Sequence, residues 1–334
     1  FQSTNRILII LLSSWILLGM VVAYWQHLNP TPFLYLSRLG LYLFFIVSQF
    51  SHPPKTKFLV RTLLIASGLY MVCFGLLQYY LLPDSRYLLL FGWDEHYYRL
   101  IGPLLDPNLS GILYVIIGWA IWGHRQYLPK KLWFGLLFLI GAAVVLTYSR
   151  ATYLSVIVSV TFLLLHLNKQ LLSFKKVAMF GLVVISAFTI YSLAPKPGGD
   201  GVNLLRTTSI EARLTSSTQY LSSLQGYQWI TGTGLFSPLP QNTNALSHSQ
   251  QPDNLLVLIL VQTGIVGSLL FFMLFTKTYS RLRSSETATI AALIALLTHA
   301  QFNNSLFEPF IFLTMGILVA TQQHQKTIKG STQL

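Results

Sequence analysis

Residues 254–275 read NLLVLILVQTGIVGSLLFFMLF, without one charged side chain. A helix needs roughly 20 mostly apolar residues to cross a hydrocarbon core of about 30 Å, so this stretch predicts a membrane-spanning helix. Nine more runs of the same kind lie on either side of it, at about 7–25, 33–50, 58–82, 108–123, 133–148, 151–167, 177–194, 287–302 and 305–322. Those at 108–123, 133–148 and 287–302 are short, and are expected to be tilted, broken or partly re-entrant. The run at 7–25 is too long and too apolar for an ordinary signal peptide. The expected fold class is all-α: a polytopic membrane helix bundle of about ten transmembrane helices. It forms a single integral membrane domain over 1–334, with one long external loop, 195–253, that contains a short amphipathic helix.

Composition agrees. Of the 334 residues, 53% are hydrophobic and only 9% charged, where a soluble domain carries about 25% charged residues. An ordinary soluble enzyme and a disordered chain are both excluded. The single cysteine, Cys73, excludes an internal disulfide framework and a cysteine-based zinc cluster.

The formal net charge of +13 would suggest nucleic acid if the basic residues shared one patch. They sort by side instead. Most of the 22 Lys and Arg fall in one alternate set of loops, among them Arg6, Lys55, Lys57, Lys130, Lys131, Lys277 and Lys326, whereas Glu286 is the only acid there. The positive-inside rule makes that set, and both termini, cytoplasmic. Chemistry is then expected at the external face, with no nucleic-acid partner.

Four external constellations could carry it. Arg99 precedes Gly102 and the turn Asp106-Pro107-Asn108. This reads either as a loop with Asn108 as helix cap and Arg99 paired to Asp94 or Glu95, or as an arginine held beside a helix N-terminus, where an anion is favoured. Thr147-Tyr148-Ser149-Arg150 joins two apolar runs. Arg150 either snorkels or occupies a cavity, where an ionisable group usually has a function. In the long loop, Thr208-Ser-Ile-Glu211 reads as a capping box that opens a helix of roughly fifteen residues with Arg213 in its first turns. A cation there opposes the helix dipole, so Arg213 needs Glu211, another acid or a bound phosphate. Gly232-Thr-Gly234 marks a turn. Last, Ser247-His248 leads to Asp253-Asn254, where capping competes with general-base roles for Asp253 or His248.

In this order the motifs resemble the O-antigen ligase/polymerase superfamily of bacterial membrane proteins. They are Arg99-x-x-Gly102 with Pro107-Asn108-x-x-Gly111, Ser149-Arg150, Arg213 followed by Trp229 and Gly232-x-Gly234, and Asp253-Asn254 running to Gly264-Ile-Val-Gly267. One position departs: ligases of the family carry His where this chain has Asp253, and polymerase-like members can carry Asp. Ten helices is also fewer than the roughly twelve common in the family.

The resemblance implies a glycosyltransferase of the bacterial cytoplasmic (inner) membrane, with its active site on the periplasmic, external side. It would move a glycan from a polyprenyl-pyrophosphate carrier to a glycan or lipid-linked acceptor. Arg150, Arg213 and Asp253 would be catalytic; Arg99, Asn108, His248 and Asn254 would bind substrate. No cofactor and no essential metal are expected, although Asp94-Glu95-His96 offers ligand types for a divalent ion. Membrane lipids are the other partners. Alternatives are an O-antigen ligase, a protein O-oligosaccharyltransferase, and a non-enzymatic anion or lipid-linked sugar transporter.

Overall fold

A computed structural model of the chain describes residues 3–27, 29–166, 185, 188–195, 200–205, 207–237, 252–282 and 287–322. Among them the structure is helical, apart from turns and one isolated bridge between Asp84 and Tyr97. The helices are α1 (Ser3–His27), α2 (Thr31–Phe50), α3 (Pro54–Leu81), α4 (Pro107–Gly123), α5 (Lys130–Leu146), α6 (Arg150–His166), α7 (Thr208–Ser222), α8 (Gln228–Thr231), α9 (Leu255–Leu282), α10 (Thr287–His299) and α11 (Pro309–Ala320). Nine of the ten expected apolar runs form helices; the run at 177–194 lies largely outside the described residues. Among the described residues, four stretches, Ile7–Trp25, Thr31–Phe50, Pro54–Leu81 and Leu255–Lys277, are long and apolar enough to cross a membrane. The chain is a multi-pass, all-α membrane bundle.

Two compact units divide it. The first is Phe1–Ser48, Thr207–Ser284 and Ala300–Asn304; the second is Gln49–Arg206, Ser285–His299 and Ser305–Leu334.

In the first unit the deciding helix is not straight. At Gly264 the backbone of α9 leaves helical geometry (φ 65°, ψ −175°). Such a break strands the carbonyls of the preceding turn, and in a membrane they need protein partners. Thr233 N–H donates to Val261 O at 2.9 Å and Gly234 N–H to Gln262 O at 3.0 Å. The indole N–H of Trp15, on α1, donates to Thr263 O at 3.0 Å. The Gly232-Thr-Gly234 turn is therefore docked backbone to backbone into the break. A Cβ on Gly264 would meet the Ile230 carbonyl, and one on Gly232 the Gln262 backbone. Positive φ strains any other residue at 264 in addition. We expect Gly264→Ala to cost at least about 1–3 kcal/mol, read as a lowered thermal midpoint of the detergent-solubilised protein. An unchanged midpoint would contradict the docked break.

The second unit is built around α4. Twelve of its 17 residues are buried, including Ile112, Tyr114, Ile116 and Ile117. A helix apolar on all sides belongs at the centre of a bundle, and α3, α5, α6, α10 and α11 surround it. Between α5 and α6 the chain reverses in three residues, Thr147-Tyr148-Ser149, with Tyr148 in the left-handed region (φ 51°). The two apolar runs around this point, nearly continuous in sequence, are thereby cut into separate helices.

Candidate functional site

The second unit gathers one polar group at the start of α4 and α6. Asp106, not Asn108, caps α4: its carboxylate accepts from the backbone N–H of Asn108 at 2.6 Å and of Leu109 at 2.8 Å. Burial pushes the Asp106 carboxyl up, against the pull of the Leu109 amide, the Arg99 charge and the Asn108 amide. With the cap supplied by Asp106, the Asn108 side chain is released for another contact, and Ser149 Oγ donates to its Oδ1 at 2.7 Å. Ser149 in turn opens α6, accepting from the Thr152 backbone N–H at 3.3 Å. Close approach makes this possible, because Gly111 lies against the Thr152 side chain and leaves no room for a Cβ. Two helix N-termini are thus tied together, both presenting partial positive charge.

Arg150 is the first residue of α6 and is half-buried. It donates to the Leu204 carbonyl at 3.4 Å. Arg99 is buried; its Nε donates to the Thr147 carbonyl at 3.0 Å, at the end of α5. The next residue, Leu100, donates its N–H to Leu146 O at 2.9 Å. The Arg99 charge also acts on the Asp106 carboxyl.

A residue that sequence reading missed holds the same segment. Gln78, late in α3, accepts from the N–H of Ile101 at 3.0 Å and of Gly102 at 3.4 Å. Its amide donates to Leu82 O at 3.1 Å and Arg99 O at 3.5 Å. A lone glutamine late in the 58–82 run, after the uncharged stretch Thr62–Leu77, was the available signal, since a polar side chain in such a run needs a partner.

The first unit gathers the second group. Asn254 caps α9, its Oδ1 accepting from Leu256 N–H at 2.9 Å and Val257 N–H at 3.1 Å. Its Nδ2 donates to Gln301 O at 3.0 Å. Asp253 is left to pair with Arg213, Nε to Oδ2 at 3.4 Å. Both side chains are partly sheltered yet reachable, at 28% and 30% exposure. The pairing follows from how α7 packs. Leu224, with Tyr220 and Leu221, lies on Val257 and Val261 of α9. Two turns back from Tyr220 on the same stripe is Arg213, and Asp253 lies two residues before the start of α9. Burial, and then the Asp253 charge, push the Tyr220 hydroxyl up, so it stays a neutral donor.

The side chain of Thr208, on which the expected capping box at Thr208–Glu211 depends, lies outside the described residues. Thr207 is the cap residue, in helical geometry and without a side-chain cap bond. Trp229 sits on α8, 40% exposed. His248 lies outside the described residues. Among the described residues no three His, Cys, Asp or Glu side chains group as metal ligands, Asp94-Glu95-His96 included.

Residues 134–272 match the family model described as O-antigen ligase. The matched stretch includes Ser149-Arg150, Arg213, Asp253-Asn254 and Gly264-Ile-Val-Gly267; Arg99 and Asn108 precede it. Neither the curated proteins nor the solved structures return a match.

Proposed function

We propose, from the match of residues 134–272 to the family model described as O-antigen ligase, that this chain is an O-antigen polymerase-like membrane glycosyltransferase. It transfers a glycan from a polyprenyl-pyrophosphate carrier to a glycan acceptor at the outer face of the cytoplasmic membrane. The Arg213–Asp253 pair carries the reading. Asn254 has taken over the capping that would otherwise explain Asp253, and Arg213 stands early in a helix, where a cation needs an anion.

In the proposed reaction the Asp253 carboxylate accepts the proton of an acceptor hydroxyl, within hydrogen-bond reach. The acceptor oxygen bonds to the anomeric carbon as that carbon's bond to the pyrophosphate oxygen breaks. The electron pair leaves on the polyprenyl pyrophosphate. Arg213 holds the growing negative charge through guanidinium–phosphate hydrogen bonds; Arg150 and Arg99 are the other two arginines to which this reading assigns phosphate contact. Without donor, Arg213 is engaged by Asp253. A pyrophosphate competes for the guanidinium and frees the carboxylate to act as base. Asn108 and Asn254 contribute donors at the two helix starts, and His248 binds substrate from the long loop. The acid at position 253, where family ligases carry His, favours a lipid-linked glycan as acceptor over lipid A-core.

The break in α9 supports a second reading, since transporters use broken helices whose exposed carbonyls hold a substrate or ion. Here the carbonyls of Val261, Gln262 and Thr263 are already taken by Thr233, Gly234 and Trp15, which favours the enzyme. The test presents purified protein in nanodiscs with one lipid-linked donor and three acceptors: a second lipid-linked glycan, lipid A-core and a protein. Product on the lipid-linked glycan alone supports a polymerase. Product on either other acceptor reassigns the chain as a ligase or protein oligosaccharyltransferase. Donor movement across proteoliposomes with no product would establish transport.

A further inference from the structure

Between α3 and α4 the chain folds into a closed hairpin with a charged base and an apolar tip. At the base Asp84 bridges Tyr97. Both the N–H and the Oγ of Ser85 donate to His96 O at 2.9 Å, and Tyr98 N–H donates to Pro83 O at 2.8 Å. Arg86 grips the Asp84 carboxylate from Nη2 at 2.7 Å and Nε at 2.9 Å, and its guanidinium lies 4.5 Å above the Tyr97 ring. Its hydrogen bonds hold the Asp84 carboxyl down at about 2, so this base stays charged at any working pH.

The tip is a single 3-10 turn, Arg86–Phe91, closed by Gly92 in the left-handed region (φ 80°). Leu88 is tucked in, whereas Leu90 is 85% exposed and Phe91 73%, with Tyr87, Leu89 and Trp93 exposed beside them. A tight turn cannot fold these side chains back on themselves. Covering one Leu or Phe gains about 1.5–3 kcal/mol, so the tip has a strong drive toward an apolar phase.

The chain immediately before it identifies that phase. Tyr80, Leu81 and Leu82, at the end of α3, are likewise exposed, on a helix long and apolar enough to cross a membrane. At 28 residues, α3 spans about 42 Å against about 30 Å of hydrocarbon, so its ends stand at interface depth. Tyr80, Tyr87 and Trp93 are residue types that settle at that depth. Asp84, Arg86, Asp94 and Glu95 flank the tip and stay out of hydrocarbon.

We infer that the Pro83–Tyr98 hairpin is an interfacial membrane anchor, with Leu89–Phe91 seated in the hydrocarbon edge of the leaflet and the charged base among the headgroups. Arg99 follows the base directly, so the anchor also sets the depth at which that arginine enters the second unit. The inference does not depend on the glycosyltransferase reading.

Spin labels test it. Cys73 is the chain's one cysteine, so Cys73→Ser gives a clean background for Leu90→Cys, Phe91→Cys and Glu95→Cys in lipid nanodiscs. Collisions with oxygen, which partitions into lipid, should exceed those with a water-soluble nickel chelate several-fold at positions 90 and 91, with the reverse at 95. Equal chelate access at 90 and 95 would overturn the anchor. So would shielding at 90 from both reagents together with dipolar broadening that disappears on dilution with unlabelled protein, because a second copy would then cover the tip. Should Leu90→Cys fail to express, Leu89→Cys provides the same readout.

Discussion

Asp253→Asn should lower glycan extension by about 10²–10⁴-fold, the usual worth of a general base, with little change in stability. The reason lies in the pair's exposure. Arg213 and Asp253 are 28% and 30% exposed and 3.4 Å apart, and an ion pair so open to water is worth about 0–1 kcal/mol. A purely structural pair would give the opposite pattern: modest loss of activity in proportion to loss of fold. The exchange Arg213→Asp with Asp253→Arg separates the cases. A structural pair recovers when its charges are swapped. A base and a phosphate-binding cation do not, because each must face its own substrate group. Turnover at the Asp253→Asn level with an intact thermal midpoint is the expected result for the swapped protein, and recovery of wild-type turnover would remove Asp253 from the chemistry.

Arg150→Ala should cost about 10²–10³-fold, comparable with removing one preorganised donor to a developing anion, and Arg150→Lys should restore only part of it, since lysine lacks the bidentate fork. Stability should hold or rise slightly. Arg150 opens α6, and a cation at a helix N-terminus is unfavourable by about 0.3–1 kcal/mol. One of its contacts, the hydrogen bond to Leu204 O, is long, at 3.4 Å. Lost activity with an unchanged or higher thermal midpoint identifies an arginine kept for its charge. A substantial fall in the midpoint would make it a structural residue instead.

The helices were legible in the sequence because hydropathy over twenty residues reports burial in lipid directly. The break at Gly264 was not. A glycine within NLLVLILVQTGIVGSLL reads as a tolerated interruption, and nothing local shows that Thr233 and Gly234, some thirty residues earlier, supply the missing backbone partners. Residue types at the site were legible, whereas their division of labour was not. Asp106 and Asn108 are both good caps, as are Asp253 and Asn254. The fold gives the cap to Asp106 in one pair and to Asn254 in the other. That choice decides which polar side chain remains for other work, and it depends on tertiary neighbours: Ser149 for Asn108, Arg213 for Asp253. Gln78 escaped notice because three of its four backbone contacts reach a segment more than twenty residues away.

The central claim, that this chain lengthens lipid-linked glycans, is tested most directly by incubating the purified protein in nanodiscs with one lipid-linked repeat unit as both donor and acceptor. The products are then resolved by size. A ladder of two, three and more repeats on lipid is the expected result, with free polyprenyl pyrophosphate released in step and neither formed by Asp253→Asn. A repeat unit left unextended by folded wild-type protein, or a ladder undiminished in Asp253→Asn, would contradict it.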